Sequence, residues 1–169
     1  SGAQEKRRAE LEALTAIAGG ANGALATVAG DLSEADLGLS EQGSAALANA
    51  AHCFHVAALY DIDADPEIIE KTNVDGTRHL LSALRKASFE GRLHHVSSVA
   101  VAGDYAETFT EAMFQEGQNL PHAYHHSKFE SERLIRESEL DYRIYRPSSV
   151  VGDSKTGAMD RIDGVYFGF

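Results

Sequence analysis

The chain is short of positive charge: 15 lysines and arginines stand against 26 aspartates and glutamates, a formal net charge of −11. Binding to a phosphate backbone draws on clustered Lys and Arg, so no nucleic-acid partner is expected. Long apolar runs are also missing. Nothing approaches the roughly 20 residues that span a bilayer, and the opening Ser1-Gly2-Ala3-Gln4-Glu5-Lys6 lacks the hydrophobic centre of a signal peptide. Cysteine is nearly absent. Cys53 has no internal partner for a disulfide and sits in an apolar stretch, which fits a small buried hydrophobe in a reducing cytoplasm. A glycine-rich turn leading from a strand into a helix, where a dinucleotide pyrophosphate would sit, is lacking too. Gly19-Gly20-Ala21-Asn22-Gly23 precedes a strand-like stretch and opens no helix. The spacing of Gly152 and Gly157 suits a phosphate loop, but Ala158 and Met159 stand where Lys and Ser/Thr must be, which excludes a Walker loop.

What is present is enough for one domain over residues 1–169, with 43% hydrophobic residues and no repeats or low-complexity runs. Leu11, Leu14 and Ile17 predict an amphipathic surface helix over 4–18, stopped by Gly19-Gly20. A short strand is expected over Ala24–Ala29, followed by Gly30-Asp31-Leu32, where Asp31 also suits a turn ahead of Ser33. An Ala-rich helix capped by Ser40 lies between Gly38 and Ala51. His52-Cys53-Phe54-His55-Val56-Ala57-Ala58 reads as a strand with a small-residue turn. Asp65 and Pro66 open a helix to about Lys86, with Ile69, Asn73, Thr77, Leu80 and Leu84 on its inward face. An Asn on that stripe needs a hydrogen-bond partner, and Gly76 beside it signals close packing. Strands follow at Leu93–Ser97 and Tyr142–Tyr145, separated by a polar loop over 102–121 and a helix from Tyr124 to about Ser138.

The chemistry concentrates at Tyr124-His125-His126-Ser127-Lys128. Four residues apart on a helix, the phenol and ammonium share a face, and a cation beside a phenol favours the phenolate. The pair is a candidate general acid with its tuner. A Tyr-x-x-x-Lys alone is a weak signal. Its context strengthens it: the strand before it ends in Ser97-Ser98, placing hydroxyls at a carboxyl edge where open α/β sheets bind ligands. His94-His95 and His122, His125, His126 invite a metal reading. Adjacent strand residues face opposite sides, however, and the helix cluster lacks a Cys or carboxylate at ligand spacing, so no metal is expected. His125 or His126 could line a substrate entrance.

Strand, Ser, Tyr-Lys helix, strand and Arg146-Pro147 in this order resemble the extended short-chain dehydrogenase/reductase family. The likeness covers nearly the whole chain, most clearly Gly30 to Gly152, and includes Asn73-Val74-Asp75-Gly76-Thr77 as an Asn-Val-x-Gly-Thr. It implies an α/β fold, a Rossmann-like doubly wound parallel sheet, incomplete because the first strands are missing. The Ala24–Ala29 stretch would be its third strand, and His52–Ala58 its fourth with the small-residue turn after it. In the family the hydroxyl residue stands three before the Val of a Val-x-Gly, which selects Ser98 over Ser97. Ser98, Tyr124 and Lys128 would then be catalytic. Ser98 and Tyr124 would hold the substrate carbonyl oxygen, and Lys128 the nicotinamide ribose.

The resemblance also implies a coenzyme site. Asp31 would contact adenine, with Leu32 beside it. His55, Ala57 and Ala58 would line the ribose and pyrophosphate side, Pro147 and Ser148 would abut the nicotinamide, and Asn73 would tether the active-site strand to its helix. NADP(H) is expected in preference to NAD(H). By order of elements the chain is expected to be an internal slice of a longer enzyme, whose sheet is completed by the rest of the polypeptide or by a second chain.

The closing Tyr145-Arg146-Pro147-Ser148-Ser149-Val150-Val151-Gly152-Asp153-Ser154-Lys155-Thr156-Gly157, continuing into Met159-Asp160-Arg161-Ile162-Asp163-Gly164, resembles the fatty acyl-CoA and thioester reductase branch. An acyl thioester or another small carbonyl compound is the implied substrate. Two alternatives stay open: a sugar-nucleotide epimerase or dehydratase of the same family, and a non-catalytic Rossmann-like binding fragment. A Ser-His-Asp hydrolase lacks its Gly-x-Ser-x-Gly elbow around Val96-Ser97-Ser98-Val99.

Overall fold

The computed structural model describes residues 26–60 and 64–158. The expected helix over 4–18, its Gly19-Gly20 stop and the stretch from Met159 onward lie outside these residues. After a 3-10 turn at Ala35–Gly38, the elements are α1 (Glu41–Ala48), β1 (His52–His55), α2 (Pro66–Glu70), a π-turn (Lys71–Asp75), α3 (Gly76–Lys86), β2 (Arg92–Val96), α4 (Ala123–Arg136) and β3 (Tyr142–Tyr145). The three strands form one parallel sheet in the order β1-β2-β3, with Cys53 opposite Leu93 and His95 opposite Ile144. This is the α/β, Rossmann-like arrangement in incomplete form.

Alternation along the strands decides which residues meet the helices. Leu93 is fully buried and packs with Leu80, Leu81 and Leu84 of α3, Phe89 and Ile135 of α4. On the opposite sheet face Phe54 stacks on His94 at 4.2 Å and remains 62% exposed. Helices therefore cover one face of the sheet among the described residues.

Local signals place most element starts. Ser40 Oγ accepts from Gly43 N at 3.2 Å, and Asp65 Oδ1 accepts from Glu67 N at 2.9 Å ahead of Pro66. Ile69, Asn73, Thr77, Leu80 and Leu84 are all buried, as their spacing predicts. The expected single helix over 66–86 is broken by the π-turn, in which the backbone carbonyl of Asn73 accepts from the Thr77 and Ser131 hydroxyls at 2.7 and 2.8 Å. Such widened turns recur at functional sites. Gly76 fits against Leu32, whose Cβ would lie 3.3 Å from an added methyl group.

The strand expected at Ala24–Ala29 is not found over its described part, 26–29, which is exposed and unpaired. In the doubly wound order 3-2-1-4-5-6 a third strand pairs with the second. No such neighbour lies among the described residues, and an extended segment without a ladder partner does not become a strand. No helix among the described residues is long and apolar enough to cross a membrane.

Candidate active site

The parallel ladder continues past the strand ends. Ser97 N donates to Tyr145 O at 2.7 Å and Val99 N to Pro147 O at 3.2 Å, so the turns after β2 and β3 lie side by side. Ser98 is extended and caps the 3-10 turn Val99–Ala102, its Oγ accepting from Ala100 N at 3.1 Å. Helix α4 crosses below, presenting Tyr124 and Lys128 one turn apart. Ser98, Tyr124, Lys128, Pro147, Ser148 and Ala58 line one cavity of about 620 Å³, with Tyr60 and His125 at its wall.

Ser97 and Ser98 diverge sharply in role. Ser97 is buried and donates to Glu132 Oε2 at 2.7 Å, whereas Ser98 Oγ accepts from Ala100 N and lies near enough to Tyr124 to pull its pKa down.

Lys128 is 3% exposed and donates from Nζ to Val96 O at 2.7 Å, at the end of β2. Burial lowers its pKa to about 8, partly countered by Glu132. The Tyr124 hydroxyl is held above the ordinary phenol range by burial, against the pull of the Ser98 hydrogen bond. Burial outweighs that pull, so the net shift of the phenol is upward, where the spacing alone pointed downward. Helical spacing aligns Cβ atoms, but the flexible lysine stem carries its nitrogen to the strand carbonyl.

Two imidazoles lie close to that ammonium. His55 shares a hydrogen bond with Thr77 Oγ1 at 3.0 Å, and burial, then Lys128, lowers its pKa to about 4. His95 is 1% exposed with neither ring nitrogen bonded among the described residues, and burial, then Lys128 and His55, bring it to about 2. Both are neutral bases under a cation. His125 on the cavity wall also titrates below its usual range, through burial and then His122. His126 lies 3.6 Å from Glu70.

The other expected coenzyme residues are dispersed. Asp31 accepts from Ser33 N and Oγ at 2.8 and 2.7 Å, forming the turn, and Leu32 O lies 2.7 Å from His79 Nδ1; neither Asp31 nor Leu32 lines the cavity. Ala57 is exposed beside the lining residues Val56 and Ala58. Asn73 is buried and fully engaged: Oδ1 accepts from Leu59 N at 2.7 Å, while Nδ2 donates to Leu59 O at 3.0 Å and Ser127 Oγ at 2.9 Å. It tethers the segment after β1 to α4, rather than β2 to its helix. Among the described residues no three His, Cys, Asp or Glu gather in a metal-holding cluster.

Glu132 and the arginines around it are what reading by sequence missed. The carboxylate is fully buried, bonded by Ser97, Arg136 and Arg146. Its signal was its place one turn beyond Lys128, on the face that α4 buries.

Gly103, on the cavity wall, has φ +54, and an added Cβ would collide with the Asn119 carbonyl. Gly103→Ala combines strain with that clash. We expect a loss of about 1–3 kcal/mol, read as a lower thermal midpoint; an unchanged midpoint would contradict this account.

A profile of the family described as male sterility protein matches residues 4–169. The chain is 34% identical over 131 residues to a Synechocystis sp. protein provisionally named dihydroflavonol 4-reductase, covering 74% of this chain and 36% of that one. It is 30% identical over 145 residues to a linear gramicidin synthase of Brevibacillus parabrevis, covering 80% of this chain and 3% of that one. Among solved structures, the terminal R domain from the myxalamid PKS-NRPS biosynthetic pathway superposes with a TM-score of 0.61 at 31% identity, over 78% of this chain and 34% of that domain. The chain thus spans about a third of the first of these relatives and of the R domain.

Proposed function

The chain belongs to the male sterility protein family, within the extended short-chain dehydrogenases/reductases, and from that premise we propose that the full-length protein is a nicotinamide-dependent reductase of acyl thioesters. The observation that carries this reading is the gathering of Ser98, Tyr124, Lys128, Pro147 and Ser148 around one cavity. Similarity to the R domain and to a gramicidin synthase supports the thioester branch over the sugar-nucleotide one. A nicotinamide dinucleotide is the coenzyme in a 26%-identical neighbour, WbmG of Bordetella bronchiseptica, solved with NAD.

The residues present suit the nicotinamide end of such a coenzyme. An ammonium has three N–H donors, and Val96 O takes one of those on Lys128, so ribose hydroxyls can be held by the others. Pro147 and Ser148 would bound the ring and Ala58 leaves space for close approach. When bound, the reduced coenzyme supplies hydride to the thioester carbonyl carbon.

The chain's own contribution is to the oxygen. Ser98 and Tyr124 would hydrogen-bond it as negative charge grows there, and Tyr124 would donate the proton. The resulting hemithioacetal breaks its C–S bond, releasing thiol and aldehyde, and a second hydride gives the alcohol. With the phenol above its usual range, the proton to be donated stays on oxygen through neutral pH.

NADP(H) in preference to NAD(H) and a cytoplasmic location complete the reading. The outer edge of β1 has no ladder partner among the described residues, and Phe54 and Val56 beside it are exposed. This supports completion of the sheet by the remaining polypeptide or a second chain.

The test incubates full-length protein with NADPH or NADH and a long-chain acyl-CoA, following coenzyme oxidation and free thiol. Equimolar or twofold coenzyme consumption per thiol is expected, with NADPH the better substrate. If neither signal moves while a nucleotide sugar is turned over, the epimerase or dehydratase reading replaces this one.

A further inference from the structure

Behind the catalytic cavity lies a second one of about 800 Å³, sharing Val96, Val99 and Pro147 with it and walled on its far side by Phe109, Thr110 and Glu111. The segment that makes this wall has no helix or strand of its own. Something else must fix it in place. The Glu132 carboxylate supplies that anchor, accepting from Arg146 Nη2 at 2.6 Å and Nε at 3.1 Å, from Arg136 Nε at 2.9 Å and from Ser97 Oγ at 2.7 Å.

Both arginines pass the anchorage on. Arg146 donates to the backbone carbonyls of Thr110 at 3.3 Å and Met113 at 2.9 Å, and its guanidinium lies 5.3 Å from the Phe109 ring. Arg136 sits 4.6 Å over Phe114, which stacks at 4.3 Å on Phe129 of α4. Gln118 closes the segment by donating to Val101 O and Phe114 O at 2.8 and 2.7 Å. A carboxylate meeting two guanidiniums gives directional, bidentate-type bonds that a lone cation could not.

We propose that Glu132 is a positioning residue for the substrate: through Arg136 and Arg146 it holds residues 109–114 as the substrate-side wall beside Ser98 and Tyr124. The same carboxylate grips Ser97, so the wall and the catalytic Ser98 are referenced to one point on α4. On the coenzyme side Lys128 spends its bond on Val96 O, away from the 109–114 segment. Val96, Val99, Ala102 and Ile144, with Phe109 from the wall, give this cavity an apolar lining that suits the acyl portion of a substrate, an identity that rests on the reductase reading above.

Glu132→Gln in the full-length protein removes the charge at nearly constant shape, and Arg146→Lys keeps the cation but loses the fork. Either variant is expected to raise the KM for a long-chain acyl-CoA about fivefold to tenfold. NADPH affinity measured by calorimetry should stay within about threefold, and chymotryptic cleavage after Phe109 and Phe114 should speed up about tenfold. Should Glu132→Gln fail to fold, Arg146→Lys carries the comparison alone. Unchanged cleavage in this segment, or coenzyme affinity falling in step with substrate affinity, overturns the proposal. If the wild type turns over a nucleotide sugar instead, the reductase reading fails, and the proteolysis and the same KM split against that sugar still decide the role of Glu132.

Discussion

Replacing Tyr124 by Phe in the full-length protein is expected to lower turnover by about 10²–10⁴-fold, the usual worth of a general acid, while NADPH affinity changes little. The ring would keep its place, packed edge-on against Tyr60 at 4.8 Å, and Lys128 would keep its bond to Val96 O. What goes is the hydroxyl that faces the cavity beside Ser98. Ser98 remains as a hydrogen-bond donor to the carbonyl oxygen, so some residual rate above the uncatalysed reaction is expected. Stopped-flow single turnovers with saturating acyl-CoA separate the chemical step from product release. Near-normal single-turnover rates in the variant would remove Tyr124 from the mechanism.

The gathering of Ser98, Tyr124 and Lys128 at one cavity was legible where a local rule and the sheet topology coincide. Tyr124 and Lys128 follow from helical spacing, and Ser98 from its position at the carboxyl end of a strand. β3 falls at the expected residues, and β2 begins and ends one residue early. The caps at Ser40 and Asp65 were readable because one side chain and one backbone N–H suffice to make them. The failures all involve partners distant in sequence. The stretch at 26–29 has strand-like residues but no neighbour to bond to among the described residues. The Asn73 π-turn needs hydroxyls from both Thr77 and Ser131, the latter 58 positions away. The place of Glu132 on α4 tells of its burial but not of its partners Arg146 and Ser97, which lie 14 and 35 positions away. The direction of the Lys128 ammonium is set by the end of β2, which no spacing rule within α4 reports.

Lys128→Met should separate function from stability. A hydrogen bond from a charged group is worth about 1.5–3 kcal/mol, so on the proposed role of Lys128 the loss of its ribose contact is expected to weaken NADPH binding roughly 10- to 150-fold. Stability should hold or rise. The ammonium is buried, and burial brings its pKa in the fold to about 8 from 10.5. Below about pH 8 both folded and unfolded chains carry the proton, and the full cost of keeping a charge out of water weighs on the fold. Between about 8 and 10.5 the unfolded chain binds more protons than the folded one, so this group's contribution to stability improves with rising pH. Met has similar length and no charge, and Val96 O loses only a donor that water at the cavity can replace. Thermal unfolding of the wild type should therefore gain on the variant as pH is raised through that window, with the variant equal or ahead at neutral pH. Coenzyme titration at neutral pH supplies the other half. A variant that melts lower yet binds NADPH normally would assign Lys128 to holding β2 against α4, and not to the coenzyme.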